Sequence, residues 1–295
     1  MSPASQPTPR TPPAPRPGAS FVVEGKGFAT GRPNVVRVSA LDRRERWLAV
    51  GDDAAVDLAT SDFHSAGRCS RLGATGPLEH VVAGLALAGL PGWILEADHP
   101  DLPLLDGSAA VWYDAARSLV RSGDDVPTGP VGRDVETLRS DRGGSISGRA
   151  AGTFRLEVSW SRGPDGPEVW RGGLEDLAGV VGARTFIDLE VYLAFRAQGD
   201  LAGTDVHSGR LLRGGSPLDD GALAFARELG VDPEARVWTG GPPRMEAECA
   251  AHKALDLVGD ILLWLGYLPC MDVVASDAGH ALHHKFGARL RQDLT

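Results

Sequence analysis

The spacing of hydrophobic and polar residues divides the chain into short alternating stretches and two long apolar ones. Alternation between Gly- and Pro-containing turns predicts strands in both halves of the chain. The first half predicts strands at 21–25, 34–40, 46–51 and 93–98, and helices at 77–90 and 110–121. The second half predicts strands at 134–140, 145–150, 154–160 and 271–276, helices at 189–199, 245–265 and 278–290, and a loop-rich region from 200 to 243.

The order of these elements contains an internal echo. In each half a buried helix is followed by a Gly–Pro-containing turn and then by a strand, at 89–91 and at 266–269. The echo suggests two related α+β halves, although a helix followed by Gly, Pro and a strand also arises by chance. The Gly/Pro-rich stretch 122–132 is the best linker candidate. We therefore predict a disordered Pro-rich tail (1–18), an N-terminal α+β domain (19–124) and a C-terminal one (133–295).

Composition narrows the class of protein. Apolar residues make up 42% and charged residues 23% of the 295 positions, which is typical of a globular chain. A formal net charge of −9 argues against a nucleic-acid partner. The three cysteines form no C-x-x-C pair, which favours a reducing, cytoplasmic compartment. The N-terminus lacks the apolar region of a signal peptide, and no apolar stretch reaches the ~20 residues of a membrane span.

The helix predicted at 245–265 carries the most informative polar residues. In the segment HKALD, His252 and Asp256 are four positions apart, so their side chains share one helical face. Asp260 continues that stripe. A catalytic zinc site needs three N or O ligands and an open position. The alternative is that these residues are the solvent-exposed face of an amphipathic helix.

Two further histidines stand at places where chemistry can occur. Glu79 and His80 open a nearly apolar helix, and they could divide the roles of base and metal ligand. The alternative for this pair is a solvated first turn in which Glu79 complements the helix dipole. His280 follows the strand MDVVAS in a tight turn, which suits a catalytic residue and a helix start equally well.

Taken together and in order, six segments resemble the zinc-dependent UDP-3-O-acyl-N-acetylglucosamine deacetylases of lipid A biosynthesis. The resemblance covers residues 23 to 291. Its segments are GKGFATG, LEHVVAGLALAGL, EADHPDLPLLDGSAA, GARTF, HKALDLVGD and DAGHALHHK. It implies an α+β fold of two related two-layer domains with the active site between them.

The resemblance also implies a role for individual residues. Zinc, or Fe²⁺ in its place, would be bound by His80, His252 and Asp256. Glu79 would be the general base, and His280, oriented by Asp260, the general acid. Thr185 would help to hold the oxyanion, and Lys253 and Phe186 would contact the substrate. Leu189 and Gly203 belong to segments that would form an apolar passage for the acyl chain.

The chain departs from the family pattern in its substrate-binding segments. The opening motif of the family has a histidine where this chain has Ala29, and the segment after Thr204 matches loosely. The first hypothesis is a zinc amidohydrolase that deacetylates a UDP-linked, acylated glucosamine, as a monomer without membrane insertion. The second is a diverged paralogue acting on another N-acyl sugar. The third is a non-catalytic sensor of nucleotide sugars or lipids.

Overall fold

The computed structural model describes residues 10–66 and 68–294. The first half of the chain forms two helices beside a five-stranded sheet and a short hairpin. Its elements are β1 (Ser20–Lys26), β2 (Pro33–Ala40), β3 (Arg46–Val50), β4 (Val56–Asp57), β5 (His64–Ala66), β6 (Cys69–Arg71), α1 (Glu79–Leu87), β7 (Trp93–Ala97) and α2 (Ala110–Arg117).

The second half forms a six-stranded sheet, a two-stranded parallel pair and four helices within the described residues. Its elements are β8 (Thr128–Val131), β9 (Val135–Arg139), β10 (Ser145–Ala150), β11 (Arg155–Gly163), β12 (Gly166–Gly173), β13 (Phe186–Asp188), α3 (Leu189–Ala197), β14 (Arg210–Leu212), α4 (Asp220–Leu229), α5 (Glu248–Leu265), β15 (Leu268–Ser276) and α6 (His280–Leu294).

The two large sheets share one topology. The strand order is β1-β2-β7-β3-β4 in the first sheet and, read in the same direction, β9-β10-β15-β11-β12 in the second. In each, the strand that follows the buried helix inserts in the middle, antiparallel to one neighbour and parallel to the other. The α+β prediction is confirmed, and the echo in the sequence corresponds to this repeated topology.

The two halves share one hydrophobic core. Every residue of α1 is buried, and this helix packs against α5 of the second half. The contact is too close to leave room for a side chain at Gly259: a Cβ there would lie 2.3 Å from the carbonyl oxygen of Glu79. The absence of a side chain at Gly259 therefore lets the start of α1 approach the middle of α5, where their polar residues meet.

Three segments differ from the sequence-based expectation. The stretch read as loop between 200 and 243 contains β14 and the amphipathic helix α4, whose N-cap Asp219 accepts a hydrogen bond from the Ala222 amide. The linker candidate contains β8, which pairs with β15. In the predicted tail, Arg16 is buried and bonds Leu119, and Arg10 pairs with Asp57; residues 1–9 lie outside the described residues.

None of the helices within 10–66 and 68–294 combines the length and the apolar character needed to cross a lipid bilayer.

Candidate functional site

A buried polar cluster lies where the two halves meet. Its residues come from the first turns of α1 and α6 and from one face of α5. The side chains that the sequence singled out as metal-binding and acid–base residues are all less than 9% exposed: Glu79, His80, His252, Asp256, Asp260 and His280. The alternative of a solvated face on α5 is therefore wrong, because the helix is covered by α1 and α6. Buried charges of this kind need partners.

Two imidazoles converge on one carboxylate oxygen in this cluster. The Nε2 atoms of His80 and His252 each lie 3.2 Å from Oδ1 of Asp256. The Nδ1 atom of His252 lies 3.1 Å from the carbonyl oxygen of Ala183, to which only a protonated Nδ1 can donate. Burial lowers the pKa of His252, which favours the neutral ring. The Nε2 lone pair of His252 therefore faces the lone pairs of Asp256.

Lone pairs that face one another repel. A cation placed between the His252 Nε2 atom and the Asp256 carboxylate would instead be coordinated by both. The donor atoms of His80, His252 and Asp256 all lie within 4.8 Å of one another. Two imidazoles and one carboxylate form a donor set that suits catalytic zinc, and the bond from His252 to Ala183 is the outer-shell contact typical of a ligating histidine. These three residues fit, and could hold, a divalent metal ion.

Glu79 and His280 face each other beside this triad. His280 Nε2 lies 3.7 Å from Glu79 Oε1 and also 3.7 Å from Asp256 Oδ2. Burial raises the pKa of Glu79, against the opposing effect of the nearby His280 and His80. Burial alone would lower the pKa of His280, but the negative charges of Asp260, Asp256 and Glu79 raise it to about 9. The pair can therefore supply a base and a protonated acid at neutral pH.

Asp260 is the shared acceptor behind His280. Its Oδ2 lies 2.8 Å from Nδ1 of both His280 and His283, and its Oδ1 bonds the Ser70 hydroxyl. Burial would raise the pKa of Asp260, but the charge of His280 and these hydrogen bonds hold it well below its usual value. The amide of Ser70 also donates to Glu79 Oε2 at 2.9 Å. The hairpin β5–β6 thus supports both members of the acid–base pair.

Lys253 lies between the polar cluster and an aromatic wall formed by Phe186 and Trp160. Its ammonium group donates to Oδ2 of Asp256 at 2.8 Å. It also lies 5.2 Å from the ring centroid of Phe186 and 5.5 Å from that of Trp160, within cation–π range. Burial would raise the pKa of Asp256, but the neighbouring His252 and the ammonium group of Lys253 keep it well below its usual value. The structure therefore brings Lys253 and Phe186 together beside the cluster.

Thr185 lies in the backbone that carries the carbonyl of Ala183. Its amide donates to the oxygen of Gly107, and its own carbonyl accepts from the amide of Arg210. Nearby, Arg184 forms an ion pair with Glu248, both fully or almost fully buried. These backbone hydrogen bonds fix Thr185 between the turn at Gly107 and β14.

The segment from β13 to Trp238, the insert, has a small core of its own. Leu189 is 1% exposed and packs with five other buried residues, so the structure places it in that core. The other members are Leu211, Ala222, Phe225, Ala226 and Trp238. An open groove on the same helix is lined by Glu190, Val191, Ala194, Phe195 and Gln198. Val191 therefore lines this groove, whereas Leu189 does not.

Gly203 joins the insert to the first half of the chain. The amides of Ala202 and Gly203 donate to the carbonyls of Ala29 and Phe28. The Ala29 and Thr30 amides in turn donate to the carboxylate of Asp101. The turn that carries Ala29 is therefore clamped between Asp101 and the Ala202–Thr204 turn.

A substitution at Gly203 should separate these two turns. A Cβ there would lie 1.9 Å from the oxygen of Gly27, so the Gly203→Ala variant must shift backbone. We expect a loss of roughly 1–3 kcal/mol in the free energy of unfolding, and a larger fall in turnover for long acyl chains than for short ones. Gly215→Ala is the control, because nothing lies within 4 Å of a Cβ there. Equal losses for both chain lengths would contradict the acyl-passage role that the resemblance implies for Gly203.

The sequence reasoning missed several residues of this cluster. His283 and His284 lie three and four positions after His280, so helical spacing alone could have placed both on the same face. Ser70 and Trp160 carry no comparable signal, because the strands on which they lie, β6 and β11, meet α5 only in the folded chain. Outside the cluster, Asp101 holds the turn at Ala29, and the sequence motif that contains it does not predict this contact.

The fold and the cluster together define an α+β protein of two topologically related halves, with a buried His/Asp/Glu site able to hold a divalent metal ion between them. The chain belongs to the LpxC family, whose model is described as UDP-3-O-acyl N-acetylglycosamine deacetylase and matches residues 18–292. The resemblance stated from the six sequence segments is thereby confirmed.

Similar proteins come from cyanobacteria and plants. A UDP-3-O-acyl-N-acetylglucosamine deacetylase of Synechocystis sp. is 29% identical over 224 residues, which cover 72% of each chain. One from Thermosynechococcus vestitus is 28% identical, over 73% of this chain and 69% of its own. A probable mitochondrial UDP-3-O-acyl-N-acetylglucosamine deacetylase 1 of Arabidopsis thaliana is 27% identical, over 73% and 68%.

Proposed function

We propose that the protein hydrolyses the N-acetyl amide of a UDP-linked, 3-O-acylated glucosamine and releases acetate, as a step of lipid A biosynthesis. The observation that carries the proposal is the convergence of a metal-binding triad, a buried carboxylate and a protonated imidazole in one cluster. Amide hydrolysis needs an activated water, a polarised carbonyl and a proton for the departing amine. A sensor would need none of these groups together.

The metal we propose is zinc, with Fe²⁺ as the alternative that the same donor set accepts. His80, His252 and Asp256 would hold it. A bound ion of this kind polarises the amide carbonyl and lowers the pKa of a bound water.

Glu79 and His280 would divide the proton transfers. The Glu79 carboxylate takes a proton from the attacking water, and its raised pKa suits that role near neutral pH. His280 Nε2, which lies 3.7 Å from Glu79 Oε1, gives a proton to the amine nitrogen as the C–N bond breaks. Asp260 holds His280 from behind through Nδ1. The products are acetate and the free amino sugar.

Binding of the substrate would fall to the aromatic wall and the insert. Lys253 offers positive charge for the nucleotide sugar, and Phe186 an apolar face. Thr185 would help to stabilise the oxyanion. The groove along α3, with the clamp at Gly203, offers apolar surface for the acyl chain.

A direct assay tests the proposal. Zinc-loaded protein should release acetate from UDP-3-O-acyl-N-acetylglucosamine and much less from UDP-N-acetylglucosamine, which lacks the acyl chain. The metal-free protein is the control. If neither compound yields acetate while zinc is bound, the deacetylase proposal fails.

The rate should depend on pH through His280. We expect kcat to fall as the pH rises through about 9, because His280 then loses the proton that the amine requires. Asp260→Asn should move this limb to lower pH, because the carboxylate charge of Asp260 is what raises the pKa most. A pH–rate profile of both proteins measures the shift. A limb that stays in place would mean that another group titrates.

Ala29 supports the second candidate, deacetylation of another N-acyl sugar. The family has a substrate-contacting histidine at this position. Ala29→His should lower KM roughly three- to tenfold for the acylated UDP-sugar, the worth of one net hydrogen bond, with a smaller change in kcat. Steady-state kinetics test this, with Ala29→Gln as a polar control. An unchanged KM would favour the second candidate.

A further inference from the structure

A buried chain of hydrogen bonds leads from Trp264, near the end of α5, back to Asp260. The indole Nε1 of Trp264 lies 2.9 Å from His284 Nδ1. His284 Nε2 lies 3.0 Å from the Ser70 hydroxyl oxygen. That hydroxyl also bonds Oδ1 of Asp260. The chain therefore crosses from α5 to α6 and from there to β6, and ends on the carboxylate that holds His280.

The chemistry of these groups decides which atom donates each hydrogen bond along this series. An indole N–H can only donate, so His284 Nδ1 must accept and carries no proton. The proton of the neutral ring is then on Nε2, which donates to the Ser70 oxygen. The Ser70 hydroxyl hydrogen is left to point at Asp260. Burial lowers the pKa of His284, in agreement with a neutral ring.

The direction matters at Asp260. This carboxylate receives the Ser70 hydroxyl on one oxygen and the Nδ1–H groups of His280 and His283 on the other. Because each of these three groups donates its hydrogen to Asp260, the carboxylate acts only as an acceptor. The His280 ring is then held with Nδ1–H towards Asp260 and Nε2 towards Glu79 and Asp256.

Trp264, at the far end of this chain of hydrogen bonds, is held in place by its neighbours. The Trp264 ring packs edge-on against Phe63 at 5.6 Å, and the Arg291 guanidinium lies 4.5 Å from its centroid. Arg291 also donates to the carbonyl of Trp264. A fixed indole fixes the tautomer of His284, because the donated proton cannot be turned away.

We propose that Ser70 and His284 are positioning residues that orient Asp260, and through it His280, for proton donation. The inference rests on the proposed function, since the oriented group is its acid. Among the described residues, neither Ser70 nor His284 has a hydrogen bond to the proposed metal triad. The Ser70 hydroxyl and the His284 ring therefore act through Asp260 and His280, whereas the backbone amide of Ser70 separately holds Glu79 and is unchanged by a side-chain substitution.

Matched variants separate this role from a structural one. His284→Met and Ser70→Ala should lower kcat about tenfold, the worth of one net hydrogen bond, with KM and bound metal unchanged. His284→Gln should restore most of the rate, because its amide can accept from Trp264 and donate to Ser70. Ser61→Ala is the control, because Ser61 is buried and its hydroxyl donates to the carbonyl oxygen of Asp57, away from the cluster. Equal losses in the Met and Gln variants, or full activity of Ser70→Ala, overturn the inference.

A spectroscopic measurement reads the chain without activity. In the metal-loaded full chain with ¹⁵N-labelled histidine, the His284 resonances should show a proton on Nε2 and none on Nδ1 at neutral pH. A proton on Nδ1 overturns the direction of the chain, even in an active enzyme. If the parent releases no acetate yet shows the expected tautomer, the proposed function fails and the hydrogen-bond chain stands as a structural feature alone.

Discussion

Purified His252→Ala and Asp256→Asn proteins should lose their divalent metal. His252→Ala removes one of the three proposed protein donors, and Asp256→Asn replaces the charged donor with a neutral amide oxygen. Because even outer-shell changes cost 10–100-fold in metal affinity, we expect a loss of more than about 100-fold. Acetate release should fall at least as far, because the amide carbonyl would no longer be polarised. Metal analysis after dialysis and a titration with Zn²⁺ measure the effect.

The matched control for these ligands is His207→Ala. His207 is exposed, and its described hydrogen bond runs through its backbone amide, so the variant should keep its metal. Thermal unfolding checks that the ligand variants still fold. Full metal content in folded His252→Ala would contradict the assignment of the triad.

Glu79→Gln should keep the metal and lose activity by about 10²–10⁴-fold, the usual contribution of a positioned acid–base group. The amide oxygen of Gln can still accept from the Ser70 amide, so the geometry of the first turn of α1 is preserved. We also expect an unchanged or higher Tm, because burial disfavours the ionised carboxylate of Glu79 and a neutral amide avoids that cost.

Glu96→Gln on the exposed face of β7 is the control, and it should change neither activity nor Tm. Kinetics, metal content and thermal unfolding on the same preparations separate loss of the base from loss of the metal or the fold. Parent-like activity of metal-loaded Glu79→Gln would remove Glu79 from the reaction and leave His280 as the remaining acid–base residue.

Helical spacing predicted part of the cluster. His252, Asp256 and Asp260 share a face because an α-helix repeats every 3.6 residues, and this holds whatever surrounds the helix. The spacing could not decide between a buried site and a solvated face. That decision came from α1 and α6, which cover α5 and put His80 and His280 against it.

The insert contains contacts that the sequence pattern could not predict. Leu189 has the side chain expected for an acyl passage, but its position in a small core depends on α4 and Trp238, which lie in the region that the sequence pattern predicts to be loop-rich. Gly203 lies against the carbonyl oxygen of Gly27, which is 176 residues away along the chain. Only folding reveals such a neighbour.

The sequence by itself determined the α+β class, the repeated order of elements and the family, because these depend on local periodicity and on motifs read in order. The tertiary structure decided which polar groups face one another. The lone pairs of His252 and Asp256, the direction of the Ser70 hydroxyl and the raised pKa of His280 all depend on distances of a few ångströms between distant segments. Electrostatic interactions and hydrogen bonds vary steeply over such distances, so the chemistry of the site is a property of the packed helices.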